Sequence, residues 1–334
     1  MTSSTLPDTF MAVRSDYIDK QVVSELVPLT FDDLSAGDVI VRNRYSGVNY
    51  KDCLSIRGKA KVIASYPRIA GIELVGDVAQ SSTDAYAPGQ SVMVHGFQTG
   101  IAFDGGFAEY TRVPAQHVMP LPEGLDPWQA AMIGVPGFTA AMALERFQQL
   151  GIQPDSGPIA VSGATGAVGI LSILILARAG YQVAALTRRM EEGPSLKALG
   201  ASEIIDAKAV ADESRLIEKP RFAAAIDNVS GTTLSWLLRS LQEGGALASV
   251  GNASGNGFDS NVLPFILRGV DMFGIVANAP WPVRRRLWDR LATAWRPDLS
   301  LLESHIHTIG IEGLLDYADR HLSGKTSGRT LLRF

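Results

Sequence analysis

Apolar and polar positions change rhythm along this chain. Up to about residue 125 the apolar residues fall in short, strand-length runs: Phe10-Met-Ala-Val-Arg14, Asp38-Val-Ile-Val-Arg-Asn-Arg-Tyr45 and Ser91-Val-Met-Val-His95. Turn-forming triplets separate them, at Ala36-Gly-Asp38, Ala87-Pro-Gly89 and Asp104-Gly-Gly106, so this part reads as β-rich. Residues 128–150 then follow a helical rhythm, broken near Pro136-Gly137, since proline lacks the amide proton a helix interior needs. Beyond it the period alternates. Strands are predicted at 158–162, 182–187, 203–206, 222–227 and 245–250, with helices near 168–179, 191–199 and 231–241 between them and a sixth, edge strand at 271–277. That alternation implies right-handed crossovers and a parallel sheet covered on both faces. The tail adds helices at 283–295 and 311–321 and a strand at 329–334, with no core of its own. The expected fold is α/β: a doubly wound domain over 128–277, inserted into a β-rich domain formed by 1–127 and the returning 278–334, with a cleft between them.

Composition narrows the function. A length of 334 residues suits two domains, and 46% hydrophobic with 19% charged residues suits a soluble protein with a large core. A net charge of −4 offers no basic field, so no nucleic-acid partner is expected. Cys53 is the sole cysteine, which excludes an intrachain disulfide and a cysteine-based structural zinc site and fits a reducing, cytoplasmic setting. The N-terminus lacks the basic and apolar regions of a secretory signal. Residues 156–177 are uncharged and long enough to suggest a membrane span. The Gly-Pro at the start of this run and the glycines inside it fit a strand, a tight turn and a buried helix instead.

The turn in that run carries chemistry. Val161-Ser-Gly-Ala-Thr-Gly-Ala-Val-Gly169 joins a strand to a helix. Backbone N–H groups at Thr165, Gly166, Ala167 and Val168 can reach a pyrophosphate at the positive helix end. Gly166 permits close approach and Gly169 close helix–sheet packing; Ala164 stands where the usual fingerprint has its first glycine. The next strand ends at Thr187-Arg188-Arg189. A ribose-binding Asp or Glu is replaced there by arginines, which suit a 2′-phosphate and therefore NADPH. Gly251 and Asn252, at the carboxyl end of the fifth strand, either touch the cofactor or simply form a turn. The same holds for Asp227-Asn228 at the end of the fourth.

Several segments together resemble the medium-chain dehydrogenase/reductase superfamily, in its zinc-independent, quinone-oxidoreductase-like branch that includes acrylyl-CoA reductases. They are Asn49-Tyr-Lys-Asp52, Pro67-Arg-Ile-Ala-Gly-Ile-Glu-Leu-Val-Gly76, Gly105-Gly-Phe-Ala-Glu109, Gly134-Val-Pro-Gly-Phe-Thr-Ala140, the turn at 163–169, Leu199-Gly-Ala201 and Leu263-Pro-Phe-Ile-Leu-Arg-Gly-Val270. The resemblance implies a GroES-like catalytic domain joined to a Rossmann domain, NADPH as cofactor, and a homodimer, here through residues 261–277. It also implies a small-molecule substrate: an enoyl thioester such as acrylyl-CoA, reduced to propionyl-CoA, or else a quinone. A protein that keeps the fold and binds NADPH without turnover is the alternative of another class.

Zinc alcohol dehydrogenases resemble the chain at two places where they carry metal ligands. Asn49 and Ile72 replace the cysteine and histidine, and neither side chain supplies thiolate or imidazole. Glu73 alone makes no metal site, and His305 and His307 lack a third ligand, so no metal is expected. Reduction of a conjugated double bond needs a donor to the carbonyl oxygen rather than a Lewis acid. Asn49 and Tyr50 are the candidates. Tyr50 either donates its phenol proton or orients the nicotinamide; Asn49 donates through its amide. Arg57, Lys59 and Lys61, with Arg68 nearby, form a basic loop: either partners for the phosphates of a coenzyme A thioester or a plain solvated surface. Phe97 and Phe107 are read as packing residues.

Overall fold

The computed structural model describes residues 6–211 and 215–334. The chain divides into two compact units, Met1–Val135 with Ile306–Phe334, and Pro136–His305. The fold class is the expected one: an α/β chain with a parallel, doubly wound sheet in one unit and a β-rich other unit.

In the first unit Val39–Val48 is the central strand. It pairs antiparallel with Glu73–Ser81, with Tyr110–Val113 and with the terminal strand Arg329–Arg333. Arg329–Arg333 pairs in turn with Ile306–Ile309, and Glu73–Ser81 with Ser91–His95. Valines from these strands, among them Val39, Val41, Val78, Val92 and Val94, close one core. β-branched side chains suit such a surface because their restricted χ1 fits the pleat. A smaller sheet of Gln21–Leu29, Phe10–Ile18 and Arg68–Ile69 closes a second core with Cys53, Ile56, Phe107, Leu314 and Tyr317.

In the second unit six strands run parallel. Their order is Glu203–Asp206, Val183–Thr187, Ile159–Val161, Phe222–Asp227, Leu241–Ser249 and Asp271–Gly274. The order reverses between Ile159–Val161 and Phe222–Asp227, and ligands of such sheets bind at the carboxyl ends flanking that reversal. Residues 156–177 form a strand, a turn and the 12-residue helix Ala167–Arg178. Among the described residues no helix is long and apolar enough to cross a membrane.

Two boundaries differ from the sequence reading. The second unit begins at Pro136 rather than at 128, and keeps the chain to His305 rather than to 277. The helix Trp281–Ala292 explains the later end: Trp288 stacks on Phe138 at 6.3 Å, and Arg286 pairs with Glu145 at 2.9 Å. The break in Pro127–Gln149 lies at Gly134 (φ 45°, ψ −155°), two residues before the expected proline. Pro136 then falls in the first turn of the resumed helix, where a missing amide proton costs nothing.

Candidate active site

The site in the first unit begins where the Val39–Val48 strand ends. Asn49 caps the helix Tyr50–Ile56, and the Asp52 carboxylate reaches back to accept the Asn49 backbone N–H at 3.0 Å. The Asn49 side-chain amide donates to Glu73 Oε1 at 2.8 Å and to Asp52 Oδ2 at 3.1 Å. Both of its hydrogens therefore meet carboxylates. The sequence reading made Asn49 a donor to substrate; in the structure those hydrogens orient the residue itself. Tyr50, half-buried, opens the helix with its ring tilted 62° against His321 at 5.8 Å. The Tyr50 hydroxyl makes no hydrogen bond among the described residues, which leaves it open to a ligand.

Glu73 and Arg329 lie behind Asn49 as a buried ion pair, 3.1 Å apart, with side-chain exposures of 7% and 1%. Glu73 Oε2 also accepts the N–H of Val135 at 2.8 Å, the first amide after the Gly134 break. Arg329 donates twice to the carbonyl of Ala131, through Nε at 3.0 Å and Nη2 at 2.7 Å. Backbone lacking a side chain lies on either side. A Cβ on Gly47 would stand 2.2 Å from Glu73 Oε1, and one on Gly134 2.1 Å from Arg329 Nη2.

This donor set does not fit a metal. Both Glu73 oxygens already accept hydrogen bonds, and the cation beside them is a guanidinium. Ile72 contributes only its backbone N–H, given to Asp52 Oδ1 at 3.0 Å. Among the described residues no three His, Cys, Asp or Glu side chains cluster as metal ligands would. His305 hydrogen-bonds Ser195 at 2.7 Å and belongs to the second unit, whereas His307 lies on a strand of the first. Burial pushes the Asp52 carboxyl up to about 7; N–H groups of Asn49 and Ile72 oppose the rise, and the Glu73 charge adds to it.

In the second unit the glycine turn sits at the reversal of strand order. Gly163, with φ +58°, makes the bend between strand and helix. Ala164, at the position of the fingerprint's first glycine, follows it and is fully buried. Gly166 is the exposed cap of Ala167–Arg178, followed by half-buried Ala167 and Val168, with Thr165 half-buried before it. A Cβ on Gly169 would stand 2.4 Å from the Gly163 carbonyl oxygen, so the helix packs on the turn only through glycine. A Cβ on Gly166 would meet protein only at 3.4 Å, leaving the space before it to a ligand. Thr187 ends its strand buried, and its Oγ1 accepts the Arg189 N–H at 2.9 Å. Arg188 is exposed and Arg189 half-buried. Gly251 is required for packing, since its Cβ would stand 2.4 Å from the Asn228 carbonyl oxygen. Asn252 is exposed and donates to Asn256 at 2.6 Å. The Asn228 amide nitrogen donates to the Ser162 carbonyl at 2.7 Å, while its buried Oδ1 has no protein partner beside the turn. These features fit a dinucleotide: an open helix end, a glycine with free space before it, and two arginines at the neighbouring strand end.

The basic loop divides. Arg57 is held by Asp319 at 2.5 Å and the Leu315 carbonyl at 2.7 Å. Arg68 pairs with Asp104 at 3.2 Å and donates to Ser35 at 2.6 Å. Lys59 is exposed on the loop, and so is Lys61. Phe107 is fully buried in the core, and Phe97 stacks on His117 at 4.9 Å, so both pack as expected.

Comparison with known proteins agrees with this geometry. Residues 35–123 match the alcohol dehydrogenase GroES-like domain, and residues 167–293 match the zinc-binding dehydrogenase family. An acrylyl-CoA reductase (AcuI) of Ruegeria pomeroyi is 37% identical over 96% of this chain and 98% of its own length. The chain belongs to the medium-chain dehydrogenase/reductase superfamily. Within that superfamily of oxidoreductases it falls in the zinc-independent branch. A putative quinone oxidoreductase (YhfP) of Bacillus subtilis is 34% identical over 95% of this chain and 97% of its own; its structure, with NAD bound, superposes with a TM-score of 0.92. The yhdH oxidoreductase of Salmonella enterica, solved with NADP, is 35% identical, covers 97% of this chain and 99% of its own, and gives a TM-score of 0.90.

Sequence reasoning missed Arg329 and undervalued Glu73. The Glu73 carboxylate was visible in its motif; nothing local marks Arg329, 256 positions later in the chain, as its partner. Gly134 gave a signal that was passed over, a glycine two residues before a proline inside a helical run.

Proposed function

We propose that this protein is an NADPH-dependent, metal-independent reductase of an α,β-unsaturated carbonyl compound, with acrylyl-CoA, reduced to propionyl-CoA, as its substrate, acting as a cytoplasmic homodimer. The observation that carries the reading is at the first-unit site. Where zinc relatives place a metal, Glu73 is neutralised by Arg329 and holds the Asn49 amide, and the next residue, Tyr50, carries a hydroxyl with no hydrogen bond among the described residues. NADPH supplies hydride when bound. Thr165, Gly166, Ala167 and Val168 would hold its pyrophosphate, and Arg188 and Arg189 its 2′-phosphate, with Thr187, Gly251 and Asn252 along the rest. Tyr50 would donate a hydrogen bond to the thioester oxygen, where negative charge grows as the β-carbon is reduced. Asn49 fixes that residue's backbone. With Arg57 and Arg68 committed to carboxylates, Lys59 and Lys61 remain for the coenzyme A phosphates.

The names of two relatives support different acceptors, an acrylyl thioester and a quinone. NADPH oxidation measured in parallel against acrylyl-CoA, crotonyl-CoA and a simple quinone separates them. The expected result is the highest kcat/KM with acrylyl-CoA. Turnover of the quinone alone would replace the substrate, and NADPH binding with no turnover would leave only a nucleotide-binding protein.

A further inference from the structure

We propose that the buried Glu73–Arg329 pair is a positioning device for turnover: it fixes the Asn49 side chain, and through it the helix turn that presents Tyr50. The proposal rests on the reading of Tyr50 as donor to the substrate carbonyl.

The hydrogen-bond inventory carries it. Glu73 Oε2 is taken by Arg329 and by the Val135 N–H, which pins the carboxylate plane. Oε1 then meets the Asn49 amide at 2.8 Å. Asp52 Oδ2 takes that amide at 3.1 Å, so the Asn49 rotamer and amide orientation are both determined. The Asn49 carbonyl accepts the N–H groups of Asp52 and Cys53 at 3.0 and 3.1 Å, and Tyr50 lies between these fixed points. Stability alone is a poor reason for the pair. Desolvating two charges offsets most of their attraction, and apolar replacements of buried pairs are often neutral or stabilising. The fold nevertheless gives up two side chains, at Gly47 and Gly134, and breaks a helix at Gly134 to admit the pair.

Arg329→Met alone leaves the Glu73 carboxylate buried without its cation and close to Asp52, so a lower Tm is expected. The double variant Glu73→Gln with Arg329→Met removes both charges. The introduced glutamine still offers Val135 an acceptor, but its own amide N–H now faces Asn49 and denies it one. Tm should rise above that of Arg329→Met, the Ala131 carbonyl that loses its Arg329 donors keeping it below the parent, while kcat falls at least about tenfold from the parent with KM and NADPH Kd little changed. Of the two NMR signals of the selectively labelled Asn49 side-chain amide, the one from the hydrogen that meets Glu73 should lose its carboxylate-bonded shift and its protection from exchange, while the one on Asp52 keeps a carboxylate partner. A double variant with parental kcat overturns the proposal. So does an unaltered Asn49 amide, a readout that needs no substrate and no recovery of Tm. Failure of the parent protein to reduce either an enoyl thioester or a quinone sinks the functional reading instead, and the Asn49 signals still decide whether Glu73 and Arg329 orient that residue.

Discussion

Tyr50 is the residue on which the proposed chemistry turns. Its hydroxyl is unengaged, while the neighbouring Asn49 has given both amide hydrogens to carboxylates. A donor that acts mainly on developing charge contributes to the transition state more than to binding. Tyr50→Phe should therefore lower kcat and kcat/KM together, on the order of a hundredfold, with little change in KM. Steady-state kinetics with acrylyl-CoA read this directly, and an undiminished kcat would assign the donor elsewhere. Asp52 supplies a pH signature. Burial raises its folded-state value to about 7 from 3.8, so between these pH values the folded state binds the proton that the unfolded state has lost. Its contribution to stability is full below about pH 4 and is lost as pH rises through about 7. Asp52→Asn should flatten that part of the profile, and Tm measured from pH 4 to 8 for both proteins checks it. An identical slope in the two would mean that Asp52 is ionised throughout.

Among the elements, the glycine turn and the strand end after it make a matched set. Gly169→Ala drives a methyl group into the Gly163 carbonyl, whereas Gly166→Ala meets protein only at an ordinary van der Waals distance of 3.4 Å. The first should lower Tm and NADPH affinity together; the second should leave Tm unchanged and weaken NADPH alone. Replacing Arg188 and Arg189 together by Ala should weaken NADPH by about ten- to a hundredfold and leave NADH nearly unaffected. Fluorescence titration of both cofactors tests all four substitutions, and equal affinity of the parent for NADH and NADPH would remove the 2′-phosphate role. Strands at 203–206 and 222–227 were legible to the residue, the second because a buried parallel strand is a near-continuous apolar run, the first because the Leu199-Gly-Ala201 turn signal precedes the β-branched pair Ile204-Ile205. Gln21–Leu29 was not, because every position before its last is half-buried or exposed, and the pattern does not alternate cleanly. The helix Tyr50–Ile56 shows in the sequence as a motif and not as a helix, since its seven residues span barely two turns.

At the scale of the whole molecule, the order of segments was enough to place a parallel sheet between the two parts of a β-rich unit. The first-unit site was only half legible. Its motif residues are local, while Glu73 meets Arg329 only because the last strand pairs beside Val39–Val48. The edge strand Asp271–Gly274 and the preceding Leu263–Arg268 helix carry exposed Val262, Ile266 and Leu267, and Val276 follows. An uncovered edge with apolar neighbours invites a second copy. Sedimentation at micromolar concentration should give a dimer, and Ile266→Asp with Leu267→Asp should shift it toward monomer; a monomeric parent would remove this interface. The reaction itself is tested most directly by following one atom. Acrylyl-CoA should be reduced with NADPH deuterated at both C4 positions, and the propionyl-CoA examined by NMR. A single deuterium at the β-carbon, with a solvent proton at the α-carbon, is the expected product. Deuterium at the α-carbon, or an unreduced thioester under conditions where a quinone is consumed, would contradict enoyl reduction assisted by Tyr50.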